Sequence, residues 1–84
     1  MNRDELRQRV LAALAEIAPE AGTLEVAGTL PIRDQVDLDS MDFLNFVIAL
    51  HEQTGVDIAE ADYERVATLD GLLDEIQRQQ ASTG

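Results

Sequence analysis

Asp37-Leu38-Asp39-Ser40-Met41-Asp42-Phe43-Leu44 is the stretch on which the reading of this chain turns. An acidic, turn-rich approach ends there and a strongly apolar helical pattern begins. Asp39 has the short acceptor side chain of an N-cap. Asp42, three residues on, can return the bond in a capping box, although Glu or Gln is commoner at that place. The spacing predicts a helix over 40–54, stopped by Gly55. With Ser40 at zero and about 100° per residue, Phe43, Phe46, Val47, Leu50 and Thr54 share one arc, which is the face for a core. Met41, Leu44 and Ile48 share a separate arc. Asn45 and Glu52 lie at its edge, and His51 lies between it and Ser40. A helix of a small bundle normally buries one stripe. The second stripe therefore packs on a loop or short helix, or it is an exposed apolar patch for a partner, ringed by polar groups. Its start beside Ser40 favours the patch.

Outward from this helix, Leu6, Val10, Ala13, Leu14 and Ile17 recur at helical spacing and predict a first helix over 4–17. Asp4 and Glu5 suit its positive end, and Pro19 and Gly22 stop it. Residues 18–38 form a long connection with Gly22, Gly28 and Pro31 and no useful strand-like alternation. A loop of this length in a small domain is often functional. Its apolar residues, Leu24, Val26, Leu30, Ile32, Val36 and Leu38, are expected to pack back on the core, with a short helical turn near Ile32 to Gln35. After Gly55, a brief extended link leads to a short helix over 61–66. Thr68 then caps a last helix over 69–79 with Leu69, Leu72, Leu73 and Ile76 inward, and 80–84 reads as a frayed tail. The expected fold is all-α: one domain over 1–84, with three main helices and a short one.

Composition narrows the function. The chain has 84 residues, a net charge of −11 and no cysteine. A chain this short buries roughly 60–65% of the surface its unfolded form exposes, which leaves little room for a deep enclosed site. Without cysteine there is no disulfide framework and no thiolate nucleophile, and one histidine cannot build a histidine metal cluster. Strong acidity makes nucleic acid and anionic membrane poor partners and basic protein surfaces good ones. The N-terminal stretch is charged and lacks a signal peptide's apolar run. No apolar run, Phe46 to Leu50 included, comes near the roughly 20 residues that span a bilayer. A cytoplasmic monomer is expected. All six basic residues are arginine, so the chain carries no lysine amine.

Ser40 has no helper for nucleophilic catalysis. On one continuous helix, the eleven residues to His51 amount to roughly 16 Å. Nor is the acidic cluster a calcium loop. Counted from Asp37, the third ligand position is Met41, the required glycine is Asp42 and the closing glutamate is Ile48. No metal site is expected. A phosphate-bearing group on Ser40 fits better, because a first-turn hydroxyl points near unpaired backbone N–H groups and the positive end of the helix dipole. The neighbouring aspartates oppose that anion. Capping accounts for Asp39 and Asp42, and docking of a basic modifying enzyme would account for the rest.

At these residues the sequence resembles the acyl carrier protein family. The matching run is Asp39-Ser40-Met41-Asp42, preceded by Val36-Asp37-Leu38 and followed by Leu44, Val47-Ile48-Ala49-Leu50 and Glu52. Gly55-Val56-Asp57-Ile58, Tyr63 to Val66 and Ala67-Thr68-Leu69-Asp70 continue it. The resemblance implies a small four-helix acyl-carrier-type bundle that is not an enzyme. It implies that Ser40 receives 4′-phosphopantetheine from coenzyme A through a separate transferase. The arm then holds acyl groups as thioesters and raises their effective concentration at partner active sites. Asp37, Met41, Leu44, Asn45, Ile48 and Glu52 match the family's docking surface for acyl-loading, condensing or acyl-transfer enzymes. Phe43, Phe46, Val47, Tyr63 and Val66 match the region where acyl chains are sequestered. Met41 replaces the commoner leucine, Asn45 and His51 replace commoner acidic residues, and Phe43 and Phe46 are bulkier than usual. These departures point to a specialised lipid, polyketide or aminoacyl-type pathway and to a cargo that is short, polar or left exposed. The alternative is an unmodified helical adaptor that uses the Met41, Leu44 and Ile48 stripe for protein binding.

Overall fold

The computed structural model describes residues 2–22 and 25–83, without the side chains of Ser82 and Thr83. Four helical segments follow one another: α1 Arg3–Ile17, α2 Ile32–Gln35, α3 Ser40–Thr54 and α4 Leu69–Thr83. Two single 3-10 turns, Pro19–Gly22 and Glu60–Asp62, sit in the connections. No strand occurs among the described residues; an isolated antiparallel bridge joins Pro31 to Thr68. The chain forms the expected all-α bundle.

α1 begins where the Asn2 side chain accepts the Glu5 N–H at 2.8 Å, a cap the residues Asp4 and Glu5 only complement. Leu6, Val10, Ala13 and Leu14 are wholly buried, and Ile17 is packed against the core. α1 packs across both α3 and α4. α3 buries Phe43, Phe46, Val47 and Leu50, the face its spacing predicts. Thr54, the fifth residue of that arc, is half-buried, and its hydroxyl donates back to the Leu50 carbonyl at 2.7 Å. Gly55 ends the helix at φ 73°, a left-handed conformation that glycine adopts without a Cβ penalty.

The long connection is held by specific bonds. Val26, Ile32, Val36 and Leu38 pack into the core as expected, but Leu30 is 54% exposed. Leu24 lies outside the described residues. The Gln35 amide staples the loop: its Oε1 accepts the Ala27 N–H at 2.7 Å, and its Nε2 donates to the Ala27 and Leu30 carbonyls. Leu30 is thereby fixed by its backbone, which leaves its side chain to solvent. The loop is also tied to the start of α4, where Ile32 N–H donates to Ala67 and Asp70 N–H donates to Gly28.

Two boundaries differ from the sequence reading. The expected helix over 61–66 is a 3-10 turn over Glu60–Asp62 followed by turns. Its bonds run mostly three residues back, from Asp62 to Ala59, Tyr63 to Glu60 and Arg65 to Asp62. A segment this short gains little from helical propagation and settles into 3-10 geometry. Gly71 fits this arrangement, because a Cβ there would collide with the Arg65 carbonyl. The second difference is α4, which continues to Thr83 where a frayed tail from residue 80 was expected. No glycine or proline lies between Gly71 and Gly84 to stop it, Gln80 and Ala81 are good helix formers, and Gln79 is anchored to the backbone of Asp57. Gly84 itself lies outside the described residues.

Candidate functional site

Ser40 is the first residue of α3, and its side chain is exposed. The turn beneath it is fixed by a reciprocal capping box. Asp39 Oδ1 accepts the Asp42 N–H at 2.8 Å, and Asp42 Oδ2 accepts the Asp39 N–H at 3.4 Å. Phe43 N–H donates to the Asp39 carbonyl at 3.0 Å and starts the helical ladder. None of the hydrogen bonds among the described residues uses the Ser40 hydroxyl or the N–H groups of Ser40 and Met41. The first turn therefore presents an unengaged hydroxyl beside two outward donors at the positive end of a 15-residue helix.

Ser40 also lies on the rim of a groove of about 300 Å³, lined by Arg33, Ser40, Met41, Phe43, Leu44, Glu60 and Tyr63. Its floor is aromatic. The Phe43 ring stands edge-on to Tyr63 at 5.5 Å and to Phe46 at 6.2 Å between centroids. Of the residues expected to surround an acyl chain, Phe43 and Tyr63 line this groove. Phe46, Val47 and Val66 are buried in the core beneath it.

The second stripe of α3 faces outward. Met41, Leu44 and Ile48 are 64%, 40% and 48% exposed, large values for apolar side chains on a helix whose opposite face is buried. Asp37, Asn45 and Glu52 are exposed around them. His51 is exposed at the far end of α3, where its Nδ1 bonds the Val56 carbonyl at 2.9 Å, well away from Ser40. The arrangement offers an exposed serine hydroxyl, a groove and an exposed apolar face, and the histidine lies at the other end of the helix.

Arg33 and Glu60 line the groove but were not singled out from the sequence. Arg33 had a signal: it is the one arginine between Arg9 and Arg65, and it sits among Asp34, Asp37, Asp39 and Asp42. The Glu75 cluster had none. Glu75 is buried on α4 and accepts from Arg78 Nε at 2.9 Å and Gln79 Nε2 at 3.2 Å, with Arg65 at 3.9 Å. The Arg78 hydrogen bond, helped by Gln79, lowers its carboxyl from 4.5 to about 2. This cluster stands apart from Ser40 and joins α4 to the turn at Asp62–Arg65.

Comparison with known proteins gives the family. A family model described as a phosphopantetheine attachment site matches residues 8–76. The chain is 28% identical over 85 residues to an acyl carrier protein of Thermosynechococcus vestitus, covering 98% of this chain and all of that one. It is 30% identical over 78 residues to an acyl carrier protein of Micrococcus luteus, covering 89% and 96% of the two chains. No solved structure matches the chain. The chain belongs to the acyl carrier protein family. It is thus a carrier and not an enzyme, and its cofactor is phosphopantetheine. Carriers of this family work with a phosphopantetheinyl transferase and with acyl-handling enzymes in general. Among the described residues, no helix is long and apolar enough to cross a membrane.

Proposed function

We propose that Ser40 is the residue that takes up 4′-phosphopantetheine and that the chain carries acyl intermediates for a specialised lipid, polyketide or aminoacyl-type pathway. One observation carries this reading: an exposed, unengaged serine hydroxyl on a capped first turn, at the rim of a groove. The residues present fit the group. The N–H groups of Ser40 and Met41 and the helix dipole favour a phosphodiester at Oγ, while Asp39 and Asp42 hold the turn in place. When attached, the arm supplies a terminal thiol that holds acyl groups as thioesters.

Met41, Leu44 and Ile48 supply the apolar centre of the docking face. Asp37, Asn45 and Glu52 supply a polar rim for basic enzymes such as the transferase and acyl-loading, condensing or acyl-transfer partners. The carrier acts as a monomer in the cytoplasm, away from nucleic acid and membrane. Its cargo is short, polar or left exposed, because Phe43, Phe46 and Tyr63 fill the space beneath the groove.

The test is intact mass after incubation with coenzyme A and a promiscuous phosphopantetheinyl transferase. The wild type gains one phosphopantetheine and Ser40→Ala gains none. An unmodified wild type would favour an adaptor that binds proteins through the same stripe. An adduct that survives Ser40→Ala would place the attachment elsewhere.

A further inference from the structure

The groove beside Ser40 has charged lips. Glu60 and Arg33 both line it, together with Met41, Phe43, Leu44 and Tyr63. The place of Arg33 is defined: its Nε donates to the Leu38 carbonyl at 3.3 Å, and its guanidinium carbon lies 5.9 Å from the Phe43 ring centroid. Leu38 precedes Ser40 by two residues, a span of at most about 7 Å of chain. The guanidinium and Ser40 thus line the same groove.

Arg33, like Arg7 and Arg9, makes no ion pair with a carboxylate among the described residues, and of these three it is the one that lines the groove with Ser40. Asp and Glu together number 17. Arg3, Arg65 and Arg78 each pair with a carboxylate. Arg33 has Asp34 beside it and Asp37, Asp39 and Asp42 nearby in sequence, yet it pairs with none of them among the described residues. Its Nε and its ring contact fix the side chain, and its two terminal nitrogens have no protein acceptor there. A guanidinium presents a planar fork that matches phosphate or carboxylate oxygens, so a fixed and half-satisfied one at an attachment point is built for an anion.

We propose that Arg33 is an anion-binding residue of this groove, pairing with an anionic group of the arm carried on Ser40. Two sources share that chemistry: the phosphodiester itself and a terminal carboxylate on the acyl cargo. The pairing offsets the repulsion between that anion and the aspartates that cap α3. It also lays the arm along the groove, over Phe43 and Tyr63, and keeps it out of the core. This assignment rests on Ser40 as the attachment residue.

The test uses full-length 15N-labelled protein, with modification followed by intact mass. The Arg33 Nε–H signal is recorded in the apo form, the holo form, and the form loaded with a neutral acyl group or one ending in a carboxylate. A shift on going from apo to holo supports pairing with the phosphodiester. A shift that appears only with the carboxylate-terminated group, and not with the neutral one, supports pairing with the cargo. An Arg33 signal unchanged across all four forms overturns the proposal. The wild-type comparison needs no substitution, so folding defects do not enter. As a second readout, the 31P line of the holo protein moves in Arg33→Gln and stays in Arg7→Gln if the phosphodiester is the partner. Equal lines in both variants remove that source. A missing Ser40 adduct shows in the mass alone; the attachment reading then fails first and this one falls with it.

Discussion

Replacing Asp39 by alanine and by asparagine separates geometry from charge at the start of α3. The Asp39 carboxylate has two attributes there. It accepts the Asp42 N–H at 2.8 Å, and it places a negative charge at the helix N-terminus. Alanine removes both and leaves the Asp42 N–H to water. Loss of an N-cap of this type costs about 1 kcal/mol, within a range of about 0.5–2. For a domain of this size, about 1 kcal/mol lowers the melting temperature by roughly 4–8 °C. Asparagine keeps the acceptor oxygen and loses the charge, so it forfeits only the dipole contribution of roughly 0.3–1 kcal/mol at an exposed site.

The assay is thermal unfolding of the apo protein followed by circular dichroism at neutral pH. Ser40→Ala is the reference for a substitution in the same turn that removes no hydrogen bond, and it should lie within about 0.5 kcal/mol of wild type. The expected order of stability is wild type, then Asp39→Asn, then Asp39→Ala. An alanine variant as stable as wild type would show that the capping box contributes nothing in solution. An asparagine variant as unstable as alanine would show that charge, and not the acceptor oxygen, holds the turn.

Three further outcomes are expected. Phe46→Ala empties a fully buried site and should cost about 3–5 kcal/mol, whereas Leu44→Ala or Ile48→Ala should leave unfolding nearly unchanged and weaken modification or acyl transfer; a stability loss of several kcal/mol at Ile48 would place the stripe in the core. Glu75 titrates at about 2 in the folded chain against 4.5 unperturbed, so its ion pair adds stability above about pH 4.5, and that stability is lost as pH falls from there through about 2. Glu75→Gln should therefore flatten this part of the acid-unfolding curve, and an unchanged acid limb would mean that other carboxylates set it. Loading the carrier with acyl chains of increasing length should leave the melting temperature nearly constant, and stabilisation that grows with chain length would mean the chain enters the core.

The helices were legible where one physical signal dominated. α3 combines a 3.6-residue apolar repeat, a capping residue and a terminal glycine, and all three agree. The second stripe followed from the same geometry, since one helix face of a small bundle is enough to reach the core. The end of α4 was not legible, because its extension depends on Gln79 bonding Asp57, a contact 22 residues away in sequence. The same is true of the long connection. Its order comes from Gln35 folding back on Ala27 and from bonds to the start of α4, and no local pattern announces either. The Ser40 region was legible as a capped, exposed turn, but its groove was not. Arg33, Phe43, Glu60 and Tyr63 come together only when the 60–63 turn is laid against α3.

Those long-range bonds bear on how the carrier works. The effective concentration of a tethered group depends on the span its tether must cover, and so on where its attachment point is held. The fixed part is assembled from three directions: the capping box below Ser40, Phe46 and Leu50 buried under the same helix, and the loop before it pinned to α4 through Gly28–Asp70 and Ile32–Ala67. None of these contacts uses the Ser40 hydroxyl or the outward stripe. Substitutions that loosen the frame and substitutions that remove the proposed tether or the proposed docking face therefore fall on separate residues. A shallow, aromatic-floored groove also holds an arm less firmly than an enclosed cavity would. A charged clamp at its rim then matters more, because a guanidinium can orient the first atoms of the arm without burying the rest. Removal of Arg33 should accordingly alter where the arm lies while leaving α3, its cap and its docking stripe intact.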